Sequence, residues 1–541
     1  MPLDFVWQVP QVTDCIAWLV NEYCQLMHIE DRPVCTGIVS EYKNELIYII
    51  GHSVGSSKGL CNMLLNDACG DANGDWTIRL PGNKPTVTPI KPPAETLPQL
   101  RILHLADLHI DRLYEPATEV DCGEPLCCRK GAGGQKAKRS AGVWGSVGAC
   151  DIPYKTVEHM FQHIAANHKL DAILWTGDLI PHDLWNYNRA ANVQELKNLT
   201  QLFLQYFPSI PIFSAVGNHE GVPENSFPPA DAPPQFSHDW LYSTLQQQWA
   251  HWLDNSTFDT VRYRASYMVR PWPGLRVISI NTQYGYTMNF WLYYNQQDPD
   301  GTLAWLVDQL AYAELAGDAV WLIGHIPSGN HDVRHYWSRN YNDIVARFES
   351  TIRAQFHGHT HNDQFAVFYD NRDPRSGRPT SVTFVAPSVT TYPNENPAYR
   401  IYAVDGGHSN ATWTVLDTET YSTNITAADE HTPPEWGLEY SAKAVYGLPS
   451  MSALHWHQLT ERFERDESLL NQYISYFHRS GREVNCNSKC RREHVCQMRK
   501  AYSAIECPTD ADWTTELLKV WATISVNETF VKNAKQICRV H

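Results

Sequence analysis

Five short apolar runs in this chain each deliver an aspartate, asparagine or histidine at or just past their carboxyl end. "RILHLADLH" finishes at Asp107 and His109, and "AILWTGDL" carries Asp178. "IPIFSAVGNHE" carries Asn218 and His219, "AVWLIGHIP" carries His325, and "AQFHGHTH" finishes at His359 and His361. Apolar runs of this length, bounded by turn residues, read as buried strands. They alternate with amphipathic helical stretches, which is an α/β pattern. In such sheets ligand sites gather beyond the carboxyl ends of the strands. A fold that pairs these strands would therefore collect the polar groups in one crevice. Glycines stand directly before Asp178, Asn218, His325 and His359 and are expected to let the backbone turn sharply there.

The residue types narrow the chemistry. A single histidine near a core is usually a hydrogen-bonded core residue, but His357, His359 and His361 crowd one turn, where cationic rings would repel. Imidazoles mixed with carboxylates and one amide oxygen suit zinc, iron or manganese better than calcium, which prefers oxygen alone. Asp107, His109, Asp178, Asn218, His325, His359 and His361 are too many for one tetrahedral site. One aspartate shared between two ions would give each ion four protein ligands. His357, the first of the three and still within the apolar run, reads as structural.

A chain of 541 residues implies two or three domains, and 43% hydrophobic residues with 19 tryptophans supply a large core. The formal charge of −16 argues against a nucleic-acid partner. Protonating all 24 histidines would carry that charge to +8, which suits an acidic compartment. The 14 cysteines contain no CxxC pair and read as disulfides of an oxidising compartment. Sequons at Asn198, Asn255, Asn410, Asn424 and Asn527 agree with glycosylation in the secretory pathway. The opening "MPLDFVWQVPQ" lacks the basic and apolar regions of a signal peptide, so a true N-terminus outside this chain is expected. No run of 18 apolar residues predicts a membrane-spanning helix.

Composition divides the chain into zones. Residues 14–70 read as helical, with apolar positions such as Ile38, Val39, Leu46, Ile47, Ile49 and Ile50. Residues 71–98 hold six prolines between 79 and 98 and read as a semi-rigid extended linker. Residues 99–435 are the α/β zone, and 436–541 read as helical, polar and cysteine-bearing. There "KCRREHVCQMRK" reads as a solvated helix face rather than an anionic-lipid site. "KGAGGQKAKRS" reads as a flexible loop between Cys128 and Cys150.

The DxH, GD, GNHE, GH and GHTH blocks in this order resemble the calcineurin-like metallophosphoesterases. "HLADLHIDRLYEP", "CCR", "WTGDLIPHDLW", "NSFPP", "FHGHTHNDQFAVFYD" and "VAPSVTTYPNENPAYR" narrow the resemblance to the acid sphingomyelinases. The spacings among Cys24, Cys35, Cys61 and Cys69 are similar to the last four cysteines of a saposin-like domain. The resemblance implies a metallophosphoesterase β-sandwich flanked by helices, an N-terminal all-α saposin-like domain whose first helix is missing or altered, and a helical C-terminal region. It implies two zinc ions. Asp107, His109, Asp178 and His361 would hold one, and Asp178, Asn218, His325 and His359 the other. It also implies that Asn225 and Tyr392 line the substrate cleft. With it come the pairings Cys24–Cys35, Cys122–Cys127, Cys128–Cys150, Cys486–Cys490 and Cys496–Cys507, while Cys15, Cys61, Cys69 and Cys538 stay open. Met288 stands where these enzymes usually carry an acidic residue near the choline end. A cysteine pair common in the family is absent from "TQYGYTMNFW" and "GHIPSGNH".

The reaction implied is hydrolysis of sphingomyelin to ceramide and phosphocholine. Two ions would lower the pKa of a shared water and stabilise the oxygens at phosphorus. The alkoxide leaving group needs a proton, and His219 and His182 are the candidates to supply it, with Asp151 orienting one of them. The expected partner is sphingomyelin in membranes, reached by peripheral contact through the saposin-like domain of a monomeric, lysosomal or secreted protein. Two other functions compete with this one. A related phosphodiesterase acting on nucleotides or other soluble diesters would lack a saposin-like domain, which residues 14–69 argue against. A lipid-binding protein with a dead catalytic domain would not need all seven donors intact.

Overall fold

The computed structural model describes residues 10–27, 29–52, 76–88, 90, 93–94, 96–132, 138–481 and 485–507. In chain order its strands are β1 (Gln99–Leu105), β2 (Ile110–Asp111), β3 (Ile152–Pro153), β4 (Ala172–Trp175), β5 (Ile212–Ser214), β6 (Tyr267–Trp272) and β7 (Leu275–Ser279). They continue as β8 (Ala319–Ile323), β9 (Ile352–His357), β10 (Gln364–Tyr369), β11 (Pro379–Val385), β12 (Ala398–Asp405), β13 (Val415–Ser422) and β14 (Gly437–Ser441). Two six-stranded sheets, ordered β14-β13-β12-β1-β4-β5 and β10-β11-β9-β8-β7-β6, stack on each other.

Strands β1, β4 and β5 run parallel in the first sheet, and β7, β8, β9 and β11 run parallel in the second. Their carboxyl ends therefore meet at one edge of the sandwich. Every residue of β4, β8 and β12 is buried, as expected for strands covered on both faces. Helices Tyr154–Asn167 and Arg189–Tyr206 pack with the first sheet, and Thr302–Ala316 and His335–Arg347 with the second. Asn188 starts the Arg189–Tyr206 helix by accepting from the amides of Ala190 and Ala191. Between the sheets, Phe356 is fully buried among the rings of His104, Trp321, Phe384 and Tyr402. Truncating it to alanine would cost about 3–5 kcal/mol, one residue before the turn that carries three histidines.

At the N-terminus, helices Pro10–Leu26 and Arg32–His52 are joined through the Cys24–Cys35 bridge. Cys122–Cys127, Cys128–Cys150, Cys486–Cys490 and Cys496–Cys507 are bonded as well, and Cys15 is in a disulfide. Cys61, Cys69, Cys538 and Asn527, and part of the loop at 130–140, lie outside the described residues. No helix of the described residues is long and apolar enough to cross a membrane.

Two sequence expectations change. The proline-rich stretch is extended but docked: Trp76, Ile78 and Leu80 pack on the second core, and Ile78 N donates to Asn340 Oδ1 at 2.6 Å. Alternating apolar residues in an otherwise proline-rich segment gave it a face to bury. The boundary expected at 435/436 falls beside β14, which completes the first sheet by pairing with β13. Its exposed, polar edge position left Tyr440 as its one buried residue, so no strand pattern was visible.

Candidate metal centre and active site

All seven expected donors converge at the carboxyl edge of the sandwich. His109 Nε2 lies 3.1 Å from His361 Nε2 and 3.6 Å from Asp178 Oδ2. His361 Nε2 lies 3.6 Å from Asp107 Oδ1. On the other side, His325 Nε2 stands 3.0 Å from Asp178 Oδ2 and 2.9 Å from Asn218 Oδ1, and His359 Nδ1 is 3.1 Å from that same amide oxygen. Asp178 Oδ2 thus belongs to both groups. Four ligands at roughly 2.0–2.1 Å from a tetrahedral ion stand about 3.3 Å apart, which is the spacing seen here.

The electrostatics also fit a cation. Asp107 Oδ2 is buried with no hydrogen-bond partner, and burial pushes this carboxyl up to about 7. A carboxylate in that position needs positive charge to stay ionised. Burial, and then the neighbouring rings, hold His109 and His361 neutral, the state whose Nε2 lone pair can bind metal. Peptide oxygens of Ile180, Thr176 and Tyr392 take the Nδ1–H of His109, His325 and His361 at 2.6–2.7 Å. The donor set is that of a divalent-metal site.

Five of the seven donors sit in the left-handed backbone region. Asp107, His109, Asp178, His359 and His361 hold φ values of 52°, 38°, 59°, 73° and 62°. The preceding glycines mostly do a different job from the sharp turns expected of them. Gly177 does adopt φ +94°, but a Cβ on Gly217 would lie 2.1 Å from Asp178 Oδ1 and one on Gly358 2.7 Å from Asp107 Oδ2. They leave room for the carboxylates. His357, expected to be structural, bonds Thr383 Oγ1 at 2.7 Å within the sheet.

Two further histidines flank the donors. His182 Nδ1 lies 2.8 Å from Asp151 Oδ1, and its ring stacks on Tyr392 at 4.0 Å. Burial works against its charge, but the Asp151 carboxylate outweighs it and raises the pKa. Tyr187 donates to the carbonyl of Pro181 and receives His219 Nδ1 at 2.6 Å, which leaves His219 Nε2 facing Glu224 Oε1 at 3.1 Å. Burial holds His219 well below the usual histidine range. Asn225, at φ +62°, accepts from Asn218 Nδ2 at 2.9 Å and so turns the Asn218 oxygen towards His325 and His359. Met288 is exposed. Among the sequons, Asn255, Asn410 and Asn424 are exposed and Asn198 is half-buried.

Several residues here escaped the sequence reading. Glu220 accepts from the amides of Gly217, Asp178 and Leu179, bracing two strand ends; its place in GNHE was the available signal. Glu224, Tyr187 and Asp332 carry no motif. Arg479, fully buried and far along the chain, donates to the carbonyl of His361 at 2.6 Å.

A two-sheet sandwich with a carboxylate shared at its strand ends defines a calcineurin-like phosphoesterase, and residues 100–363 match that family. Residues 378–508 match the acid sphingomyelin phosphodiesterase C-terminal region. The chain is 38% identical to sphingomyelin phosphodiesterase 2 of Caenorhabditis elegans, over 90% of this chain and 83% of that protein. It is 40% identical to sphingomyelin phosphodiesterase of Homo sapiens, over 87% and 75% respectively. Acid sphingomyelinase-like phosphodiesterase 3b of Homo sapiens is 31% identical over 73% of this chain and 87% of its own length. The chain belongs to the sphingomyelin phosphodiesterase family, and it is a phosphodiesterase.

Proposed function

We propose that this chain hydrolyses sphingomyelin to ceramide and phosphocholine with two zinc ions. The observation that carries the reading is Asp178, shared between two donor sets beside the Asp151–His182 pair. Asp107, His109, Asp178 and His361 would hold one ion, and Asp178, Asn218, His325 and His359 the other. A nitrogen-rich set with few carboxylates favours zinc. Bound there, two such ions would lower the pKa of water and neutralise charge developing at phosphorus.

The chain's own residues handle the leaving group. His182 gives its Nδ1–H to Asp151, so Nε2 is the atom that holds a proton for the departing ceramide oxygen. His219, fixed by Tyr187 and Glu224, stands with its ring 4.7 Å from that of His182 and bears on the phosphate. Tyr392 and Asn225 form walls of the cleft. Val20, Leu26 and Ile50 on the two N-terminal helices and Ile29 between them are exposed, apolar side chains suited to a bilayer interface. We assign residues 14–70 to a saposin-like domain that delivers the head group. The disulfides and the exposed sequons at Asn255, Asn410 and Asn424 support a lysosomal or secreted protein; we assign glycans to these and to Asn198 and Asn527, on a monomeric chain.

The test sets sphingomyelin liposomes beside a nucleotide phosphodiester, at acidic and neutral pH, with metal analysis of the purified protein. Turnover of sphingomyelin with two zincs is expected. Turnover of the nucleotide alone, or another native metal, would overturn the corresponding part.

A further inference from the structure

Three of the four donor histidines lean on a neutral peptide oxygen, as described above. His359 is turned the other way round. Its Nδ1 faces Asn218, and its Nε2 lies 3.0 Å from Asp332 Oδ2, a full carboxylate. We propose that Asp332 is a positioning residue for the second ion, holding His359 in the tautomer whose Nδ1 lone pair faces Asn218; this rests on the two-ion reading.

The physical reason is one of charge and geometry. With Nε2–H donated to Asp332, only Nδ1 has a lone pair to offer. A carboxylate also pushes electron density into the ring more than a carbonyl does, making Nδ1 a stronger ligand. The side chain is only 17% exposed, so water competes weakly for it. Asp332 itself is held by backbone rather than by a disulfide. Thr287 N donates to Asp332 O at 2.7 Å, Tyr286 and Val333 form a bridge, and Arg334 N donates to Gly285 O at 2.8 Å. The Tyr286 ring then meets the His359 ring edge-on at 5.4 Å. One clamp thus fixes both neighbours of the ligand ring.

The experiment titrates the full chain with zinc against a competing chelator, comparing wild type with Asp332→Asn and Asp332→Ala. One of two ions should bind about 10–100-fold more weakly in the variants, the other should be unchanged, and excess zinc should restore kcat. Metal-free melting curves that coincide exclude general unfolding; should the alanine variant melt early, the isosteric asparagine carries the comparison. Equal affinities for both ions in wild type and Asp332→Asn would overturn the role of Asp332 alone. A wild type that binds fewer than two ions would overturn the two-ion reading and this inference with it.

Discussion

Tyr42 donates its hydroxyl to the backbone carbonyl of Glu224 at 2.6 Å, joining residues 182 apart in the chain. Beside it, Ser226 Oγ donates to Glu45 Oε2 at 2.6 Å. Gly37 lies so close to the 184–186 turn that a Cβ would sit 2.3 Å from Trp185 O. The helix Arg32–His52 therefore braces both the turn leading to Tyr187 and the loop carrying Glu224 and Asn225. Gly37→Ala should force the helix off, lowering kcat/KM by about tenfold or more on soluble and bilayer substrates alike. Tyr42→Phe, which removes one hydrogen bond of about 1 kcal/mol, should act in the same direction more mildly. Unchanged kinetics on a soluble diester for Gly37→Ala would refute the bracing.

Glu45 makes that brace pH-dependent. Burial pushes its carboxyl up to about 7, and its Oε1 has no partner. A raised carboxyl holds its proton when folded, so its stabilisation is fully present below the ordinary 4.5 and is lost as pH rises through about 7. The loss amounts to about 3 kcal/mol. Melting temperatures at about pH 5 and about pH 8 should diverge more in wild type than in Glu45→Gln. Parallel behaviour would show that Glu45 titrates normally.

Asp178→Asn should remove the charge common to both donor sets. Ion content should fall to one or fewer per chain, and turnover should drop by about a thousandfold or more. Metal stoichiometry and rate are measured on the same sample. A fully active variant holding two ions would end the shared-carboxylate assignment.

His182→Ala should slow cleavage of sphingomyelin about 10²–10⁴-fold, yet barely affect an activated nitrophenyl diester that needs no proton. His219→Ala should slow both substrates, because a phosphate contact serves either one. Selectivity for the alkoxide in His219→Ala, and not in His182→Ala, would reverse the two roles.

Replacing Val20, Leu26 and Ile29 by serine should spare hydrolysis of a soluble diester and most of the activity on detergent-dispersed sphingomyelin. Activity on liposomes should fall, since drawing the lipid out of the bilayer costs about 0.8 kcal/mol per exposed methylene. Liposome rates equal to wild type would argue that these helices do not touch the membrane.

The donors were legible in the sequence because each is a local event. A buried strand ends, a glycine makes room, and an aspartate or histidine follows within one or two residues, as at Asp178 and His325. Repetition of that pattern in five runs, four of them with the glycine, also implied a parallel sheet edge. The pairings Cys122–Cys127 and Cys486–Cys490, 5 and 4 residues apart, came from the family resemblance and not from local spacing. The docked linker at Trp76 and the edge strand at Tyr440 had too few buried residues to set a period.

By itself, then, the amino-acid sequence determined the fold class, the seven side chains that converge at the strand ends and the family to which the chain belongs. Tertiary structure alone decided which nitrogen of His359 faces Asn218, that Asp332 stands behind it, and that Arg479 holds the turn of His361. It also decided that Gly37, Tyr42 and Glu45 reach the loops of the active site. These are contacts between segments tens to hundreds of residues apart. Their partners are chosen by how two packed surfaces fit, and neither residue type nor periodicity encodes that fit.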